Sequence, residues 1–387
     1  MTKPFESRSD HSRAPLRASP GAESAREEHG AGQFRGGGGT SRDIATPEGK
    51  ISIARQTPDP HSLQAEEAPM NSTARPQSSS VVGSAFSTLE FVEVCAKAFG
   101  DRYRAAEVSV TGSGPDRAFY ALQCPEPMGL RSFALAPCSL YASPGWEGTL
   151  QLSTLRGILD QLVGSRIRKF NWKVFFDHQE LAAGLSRLPL VSRQESTHLV
   201  RLDRDYERIF AGYNANNRNK VRRSRASGLT LRDAVDPETI ASYYRVHTGL
   251  AEQKGTYEYI YPLSLFLDLA RLPFCRIIVA EFEGRVVGGC VFFDDRESIV
   301  YWHGASDRAY SNSYPSRLVL DEAVRWGCER GAKFLNLGAS AGIASLERFK
   351  SEWGARTELN WSFEWRNPFW ERLTSAKRFF WRGKRRG

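Results

Sequence analysis

The chain has 387 residues and a formal charge of +9, more than one ordinary domain of about 100–200 residues needs. Its first 80 residues hold no Trp or Tyr, two Phe, eight Gly, and ten basic against ten acidic side chains; so little apolar surface cannot offset chain entropy, and a disordered arm is expected over 1–80. Residues 366–387 carry eight Lys/Arg and one Glu, which leaves +2 for 81–365 and excludes a uniformly basic, nucleic-acid-coating body.

The six cysteines show no CxxC pair or zinc-like spacing, so reduced thiols are expected and no metal site is assigned. The first residues have no apolar h-region, and no apolar run nears the ~20 residues of a spanning helix. The expectation is a cytoplasmic protein whose contact with a membrane is peripheral.

Order is expected from Ser84, where Phe86, Leu89, Phe91, Val92 and Cys95 recur at helical spacing. Strands follow at Ala106 to Thr111, Arg117 to Gln123 and Arg131 to Tyr141. A helix is expected over Leu152 to Val163, and strands over Arg166 to Phe176 and Thr197 to Leu202. Asp205 to Ala226 reads as helical, either throughout or with a new helix starting at the poor helix formers Asn214, Asn216 and Asn217, Leu229 to Ala234 as a strand and Pro237 to Gln253 as a second amphipathic helix. Three antiparallel strands come next, Cys275 to Phe282, Arg285 to Phe293 and Ser298 to Gly304, joined by Glu283-Gly284 and by Asp294 to Glu297, which have turn chemistry. A helix from Pro315 to Arg330 starts on proline and stops at Gly331, and Lys333 to Leu337 returns as a strand. The class is α+β.

This order resembles the GNAT acyltransferase fold. Two stretches narrow the likeness: Asn217-Arg218-Asn219-Lys220-Val221-Arg222-Arg223 with Gly228, and Leu335-Asn336-Leu337-Gly338-Ala339-Ser340 followed by Phe349-Lys350-x-x-Trp353-Gly354. Both are similar to the FemAB-like branch of tandem GNAT-like lobes. The resemblance implies a degenerate first lobe over 81–200, an acyltransferase lobe over 201–365 and a basic, aromatic tail over 366–387, with mixed, mainly antiparallel sheets. It further implies transfer of an acyl or aminoacyl group to an amine, often of a cell-envelope or polysaccharide precursor. The donor is acyl-CoA or aminoacyl-tRNA, with no permanently bound cofactor.

Amide formation from an activated acyl group needs a deprotonated amine, placement against the carbonyl and stabilisation of the oxygen's developing charge. No GxGxxG or Walker A segment occurs, which weakens dehydrogenase and kinase readings. Within Tyr301-Trp302-His303, strand alternation places Tyr301 and His303 on one face, the imidazole to take the amine's proton and the phenol to serve the leaving group; a half-buried strand with both groups satisfied by backbone is the alternative. By the resemblance, Lys350 reaches a donor phosphate or the reacting carbonyl, against a solvated lysine beside a core Phe349 and Trp353. Arg218, Arg222 and Arg225 fall on one helical stripe suited to a diphosphate or an RNA backbone, or to an ordinary solvated face. The resemblance makes the loop before Pro315 the donor's phosphate cradle; here Ser311, Asn312 and Ser313 replace its glycines, which favours a bulkier donor or a FemAB-type arrangement over ordinary acetyl-CoA binding, with a plain helix cap as the alternative.

Asn367-Pro368 is a good helix start, and Phe369, Leu373, Ala376 and Phe380 then recur along one side with cations beyond them. That pattern fits an interfacial anchor on anionic lipid or an aromatic face docked on the body. The expected partners are an acyl donor and an amine acceptor, with tRNA and an anionic membrane surface as candidates and no DNA. A non-catalytic scaffold that keeps the fold at a membrane-associated synthase is the rival reading, and an RNA-binding protein using the 218–225 stripe a weaker one.

Overall fold

The computed structural model describes residues 80–373 apart from 82, 111–116, 136, 148–149, 255–259 and 341. The expected arm over 1–80, apart from Ser80, and the tail beyond 373 lie outside the described residues.

The first half of the described chain runs β1 (Ser80–Val81), α1 (Leu89–Phe99), β2 (Arg104–Val110), β3 (Arg117–Pro125), β4 (Arg131–Ala134), β5 (Trp146–Glu147), α2 (Leu152–Leu162), β6 (Ile167–Val174), α3 (Gln179–Leu185) and β7 (Val191–Arg201). The second half runs α4 (Tyr206–Gly212), α5 (Ala215–Arg225), β8 (Thr230–Asp233), α6 (Pro237–Lys254), α7 (Leu263–Leu269), β9 (Cys275–Phe282), β10 (Arg285–Asp295), β11 (Ser298–Ser306), α8 (Pro315–Arg330), β12 (Phe334–Asn336), α9 (Ala344–Ser351) and β13 (Arg356–Arg366). Eleven strands form one open sheet in the order β2-β3-β4-β6-β13-β7-β12-β11-β10-β9-β8. Among the described residues only β4 with β6 and β11 with β12 pair in parallel. The fold is mixed α+β with a mainly antiparallel sheet.

Local chemistry sets most boundaries. Thr88 caps α1 by accepting from Phe91 N, and α8 opens on Pro315 and ends on Gly331 at φ 78°, a left-handed turn that costs glycine nothing. Glu283 and Gly284, at φ 49° and 77°, make the two-residue hairpin turn between β9 and β10. Of the two readings of 205–226, the one with a new start at the asparagines holds: Tyr213 leaves the helical region and Asn214 starts α5 by accepting from Asn216 N. The strand expected to reach Tyr141 stops at Ala134, and a 3-10 turn begins at Pro137, which has no N–H for a ladder.

Three apolar clusters fill the two faces of the sheet. Phe170, Trp172 and Phe363 pack with Leu155 and Leu181 under α2 and α3. Phe91, Tyr243 and Phe266, from α1, α6 and α7, cover Val291, Phe293 and Val300 on one face of the second half. Val221, Val319 and Trp353 cover Phe292, Ile299 and Leu335 on the opposite face. Truncating a buried aromatic such as Trp353 to alanine typically costs about 3–5 kcal/mol.

Two irregularities around β11 position the site. Val291 pairs with His303 and Phe292 with Tyr301, so Trp302 is an extra residue, a β-bulge. Simple alternation puts Tyr301 and His303 on one face; the bulge overturns this. Tyr301 packs against Phe292 on the α8 side, while Trp302 and His303 both meet Phe266 on the α6–α7 side. The second irregularity is a split. β11 and β12 pair only through Ser298 with Phe334, Ile299 with Leu335 and Val300 with Asn336. Beyond that β11 continues on β10 alone, and the chain after Asn336 stays with β7 through Leu337 N to His198 O at 2.8 Å and His198 N to Gly338 O at 3.2 Å.

At the C-terminal side Asn367 accepts from Phe369 N at 3.1 Å and starts a helical turn over 368–373. Trp370 Nε1 donates to Ser165 O at 3.0 Å, whereas Phe369 is 64% exposed. Among the described residues no helix is long and apolar enough to cross a membrane.

Candidate active site

A buried polar cluster sits where the chain leaves β12. Gly338, at φ 72°, turns the backbone, and Asn336 holds the turn: its Oδ1 accepts from Gly338 N at 2.9 Å and from Thr197 Oγ1 at 2.7 Å. The carboxamide's orientation follows from the first contact, because a backbone N–H can only donate and must face an oxygen. Ser340 Oγ and His198 Nε2 lie 2.8 Å apart on the other face of β7. From α9, Lys350 Nζ donates to Gly338 O at 2.9 Å and to Ala339 O at 2.6 Å. Thr197, His198, Asn336, Ser340 and Lys350 are all buried.

Lys350 is only 5% exposed, and no carboxylate pairs with it among the described residues. Taking an ammonium out of water disfavours its charged form, so burial lowers its pKa to about 8. Two carbonyls occupy two of its three N–H bonds and leave one donor. The same burial, then the Lys350 charge, lowers the pKa of His198.

On the opposite side of β11, His303 Nδ1 is 2.8 Å from Tyr243 Oη and its ring centroid is 3.9 Å from that of His247. Burial, then His247, brings His303 down to about 3, and burial brings His247 to about 4. Both rings are neutral at neutral pH. Burial followed by the neighbouring Cys290 pushes the Tyr301 phenol up, so it stays protonated. A Cβ on Gly304 would stand 2.5 Å from Tyr301 Oη and 2.9 Å from Cys290 Sγ, so Tyr301 lies along the strand over a position only glycine leaves free.

The α5 arginines are engaged within the protein. Arg218 donates to Ala211 O at 2.9 Å and to Tyr213 O, closing the end of α4. The Arg222 guanidinium lies 5.5 Å over the Phe210 ring, and Arg225 pairs with the buried Asp321 at 2.6 Å. Among the described residues no hydrogen bond or ion pair joins them to Lys350 or His303. Ser311 and Asn312 are exposed and Ser313 half-buried in a 3-10 turn over Arg308–Ser313 that Asp307 caps. Sequence reasoning missed Arg317, which is buried against Phe349 and Trp353 and bonded to Asn217 and Glu352, each at 2.5 Å. It also missed His198 and gave Asn336 no role, although Asn336 stands in the Leu335 to Ser340 motif. Among the described residues no group of three or more His, Cys, Asp or Glu could hold a metal ion.

Residues 212–351 match the family described as an acetyltransferase (GNAT) domain. No curated protein matches the chain by sequence. Among solved structures, FemX is 13% identical and superposes with a TM-score of 0.57 over 73% of this chain and 92% of its own. A conserved protein of unknown function from Bacteroides thetaiotaomicron is also 13% identical, with a TM-score of 0.51 over 73% and 95%. The C-terminal domain of a putative lysylphosphatidylglycerol synthetase from Agrobacterium fabrum is 11% identical, with a TM-score of 0.50 over 75% and 90%. The match marks a GNAT domain over residues 212–351, and the shared fold gives the described chain a GNAT-like fold of FemAB-like architecture.

Proposed function

We propose that the chain transfers an acyl or aminoacyl group from CoA or tRNA to an amine of a cell-envelope or polysaccharide precursor, and that Lys350 is its principal catalytic residue. The observation that carries this reading is a buried ammonium with one donor left, held by carbonyls alone beside the split between β11 and β12. A cation with no anionic partner in a dry site is worth most where negative charge develops, here on the carbonyl oxygen as the amine adds. No covalent enzyme intermediate is needed: the amine attacks, the oxygen takes the charge, and its collapse expels the thiolate of CoA or the ribose oxygen of tRNA. The leaving group takes up the proton that the amine nitrogen gives up as the amide forms.

His303 is neutral and hydrogen-bonded to Tyr243. In this reading it accepts a hydrogen bond from the incoming amine and orients its lone pair, and Tyr301 acts from the other face as a phenol donor. Arg218, Arg222 and Arg225, with the loop Ser311, Asn312 and Ser313, remain the proposed surface for the donor's phosphates. The division into lobes over 81–200 and 201–365 is part of the same proposal. So is a reversible contact of the aromatic, basic tail with anionic lipid, worth about 1 kcal/mol per Lys/Arg near the surface. The likeness to FemX and to the putative lysylphosphatidylglycerol synthetase domain supports the aminoacyl branch, and the acetyltransferase family match supports the CoA branch.

The test is to incubate the purified full chain and a cell-envelope fraction with labelled acyl-CoAs or with tRNA charged with labelled amino acids. Acid-stable label in an acceptor, lost with Lys350→Ala, supports the reading and identifies the donor. No transfer and no donor binding leave the scaffold reading in its place.

A further inference from the structure

The inference drawn here rests on the acyl-transfer reading and concerns Asn336. Its side chain is wholly buried, and its Nδ2 has no hydrogen-bond partner among the described residues. A donor left unpaired in a dry interior is costly, and native proteins rarely keep one without a use. Oδ1 cannot trade places with it, since Gly338 N requires an acceptor. β12 lies between β7 and β11, and Oδ1 is spent on Thr197 of β7 and on the turn beyond. In a planar carboxamide this leaves Nδ2 on the β11 side. Asn336 is also the last residue of β12 to pair with β11, opposite Val300. The orphaned donor therefore sits where the two parallel strands part, and Lys350 clamps the turn that follows.

We propose that Asn336 Nδ2 binds the acyl carbonyl oxygen of the donor at this split. CoA thioesters and tRNA esters share that oxygen, and its two lone pairs can take both a neutral amide donor and the free N–H of Lys350. Asn336 then holds the carbonyl before attack, and Lys350 meets the charge that attack creates.

Asn336→Asp tests this, because the aspartate keeps an oxygen for Gly338 N and Thr197 and puts an acceptor oxygen, which repels a carbonyl, in place of the Nδ2 donor. Thr197→Val is the control, removing a structural bond to Asn336 and leaving Nδ2 in place. Both full-length variants are titrated calorimetrically with acetyl-CoA against CoA, and with alanyl-tRNA against uncharged tRNA, alongside thermal midpoints. Asn336→Asp is expected to weaken the acylated probe that the wild type binds by at least about tenfold and to leave its deacylated partner unchanged. Thr197→Val is expected to shift the midpoint but neither affinity. Unchanged affinity for the acylated probe, equal weakening of both probes, or the same loss in Thr197→Val would overturn the assignment and make Asn336 structural. A wild-type chain that binds neither acylated probe would overturn it together with the transfer reading.

Discussion

Arg225 on α5 is an exposed cation that reaches a buried carboxylate, Lys350 on α9 a buried cation that reaches none, and the contrast separates structure from chemistry. Arg225 meets the carboxylate of Asp321 at 2.6 Å and donates to the Tyr206 hydroxyl, so its charge is neutralised inside the fold. Lys350 meets two carbonyl oxygens and no carboxylate, and its lowered pKa records the unpaid desolvation. A compensated cation holds structure together, whereas an uncompensated one is available to a negative charge that arrives later. The number of arginines in α5 makes it conspicuous in the sequence, but the partners decide which cation is free.

The sharpest way to break this contrast is Lys350→Ala. Turnover is expected to fall by on the order of 10²-fold or more, as loss of a charge-stabilising donor does, with a thermal midpoint within a few degrees of the wild type. Steady-state kinetics and calorimetry check both halves, and full turnover would remove Lys350 from the chemistry. Arg225→Met should do the reverse. It leaves Asp321, whose side chain is 2% exposed, without its nearest cation, and should cost about 1–3 kcal/mol of stability, measured by denaturant unfolding. The loss is limited because Arg325 stays 3.7 Å from the same carboxylate. Turnover per folded molecule at saturating donor should hold, and an unchanged donor affinity in Arg225→Met would take Arg225 off the proposed phosphate surface.

A smaller effect sharpens the comparison from the other face. His303 is brought to about 3, so His303→Gln should lower turnover modestly without moving any inflection between pH 5 and 7. An acid limb near 6.5 that disappears in the variant would make the imidazole a conventional base instead. The smallest effect expected on the body is that of truncation after Leu373, which keeps the Trp370 contact with Ser165. The thermal midpoint should stay put while low-salt co-sedimentation with phosphatidylglycerol vesicles is lost. Equal sedimentation of both forms would discard the lipid contact.

The parts legible in the sequence are those carried by local chemistry. The Glu283-Gly284 turn, Pro315 and Gly331 at the ends of α8, and the Phe349 to Gly354 spacing around Lys350 all sit where pattern places them. The rest depends on tertiary geometry. Periodicity assumes unbroken alternation, so the bulge at Trp302 reversed the facing of Tyr301 relative to His303. The strand β13 carries Leu359, Trp361, Phe363 and Trp365 at period two, a signal present but unread, and its place between β6 and β7 has no local signature. α3 and α7 are seven residues each, too short for a helical period to stand out. The pairing of Arg225 with Asp321 joins residues 96 apart in the chain, which no stripe of arginines reveals.

Lys350 also ties stability to catalysis through pH. Its folded pKa, about 8, lies below the 10.5 of a free lysine, so between those values the unfolded chain binds more protons than the folded one. Its contribution to stability therefore rises with pH across that window and is lost as pH falls through 8. Over the same range the ammonium needed for transfer disappears. The most direct measurement is the pH dependence of kcat from 6 to 10 alongside the NMR titration of the Lys350 ammonium in the same protein. Both should fall together with a midpoint near 8. An ammonium titrating above 10, or a kcat that holds steady as the ammonium is lost, would contradict the role given to Lys350.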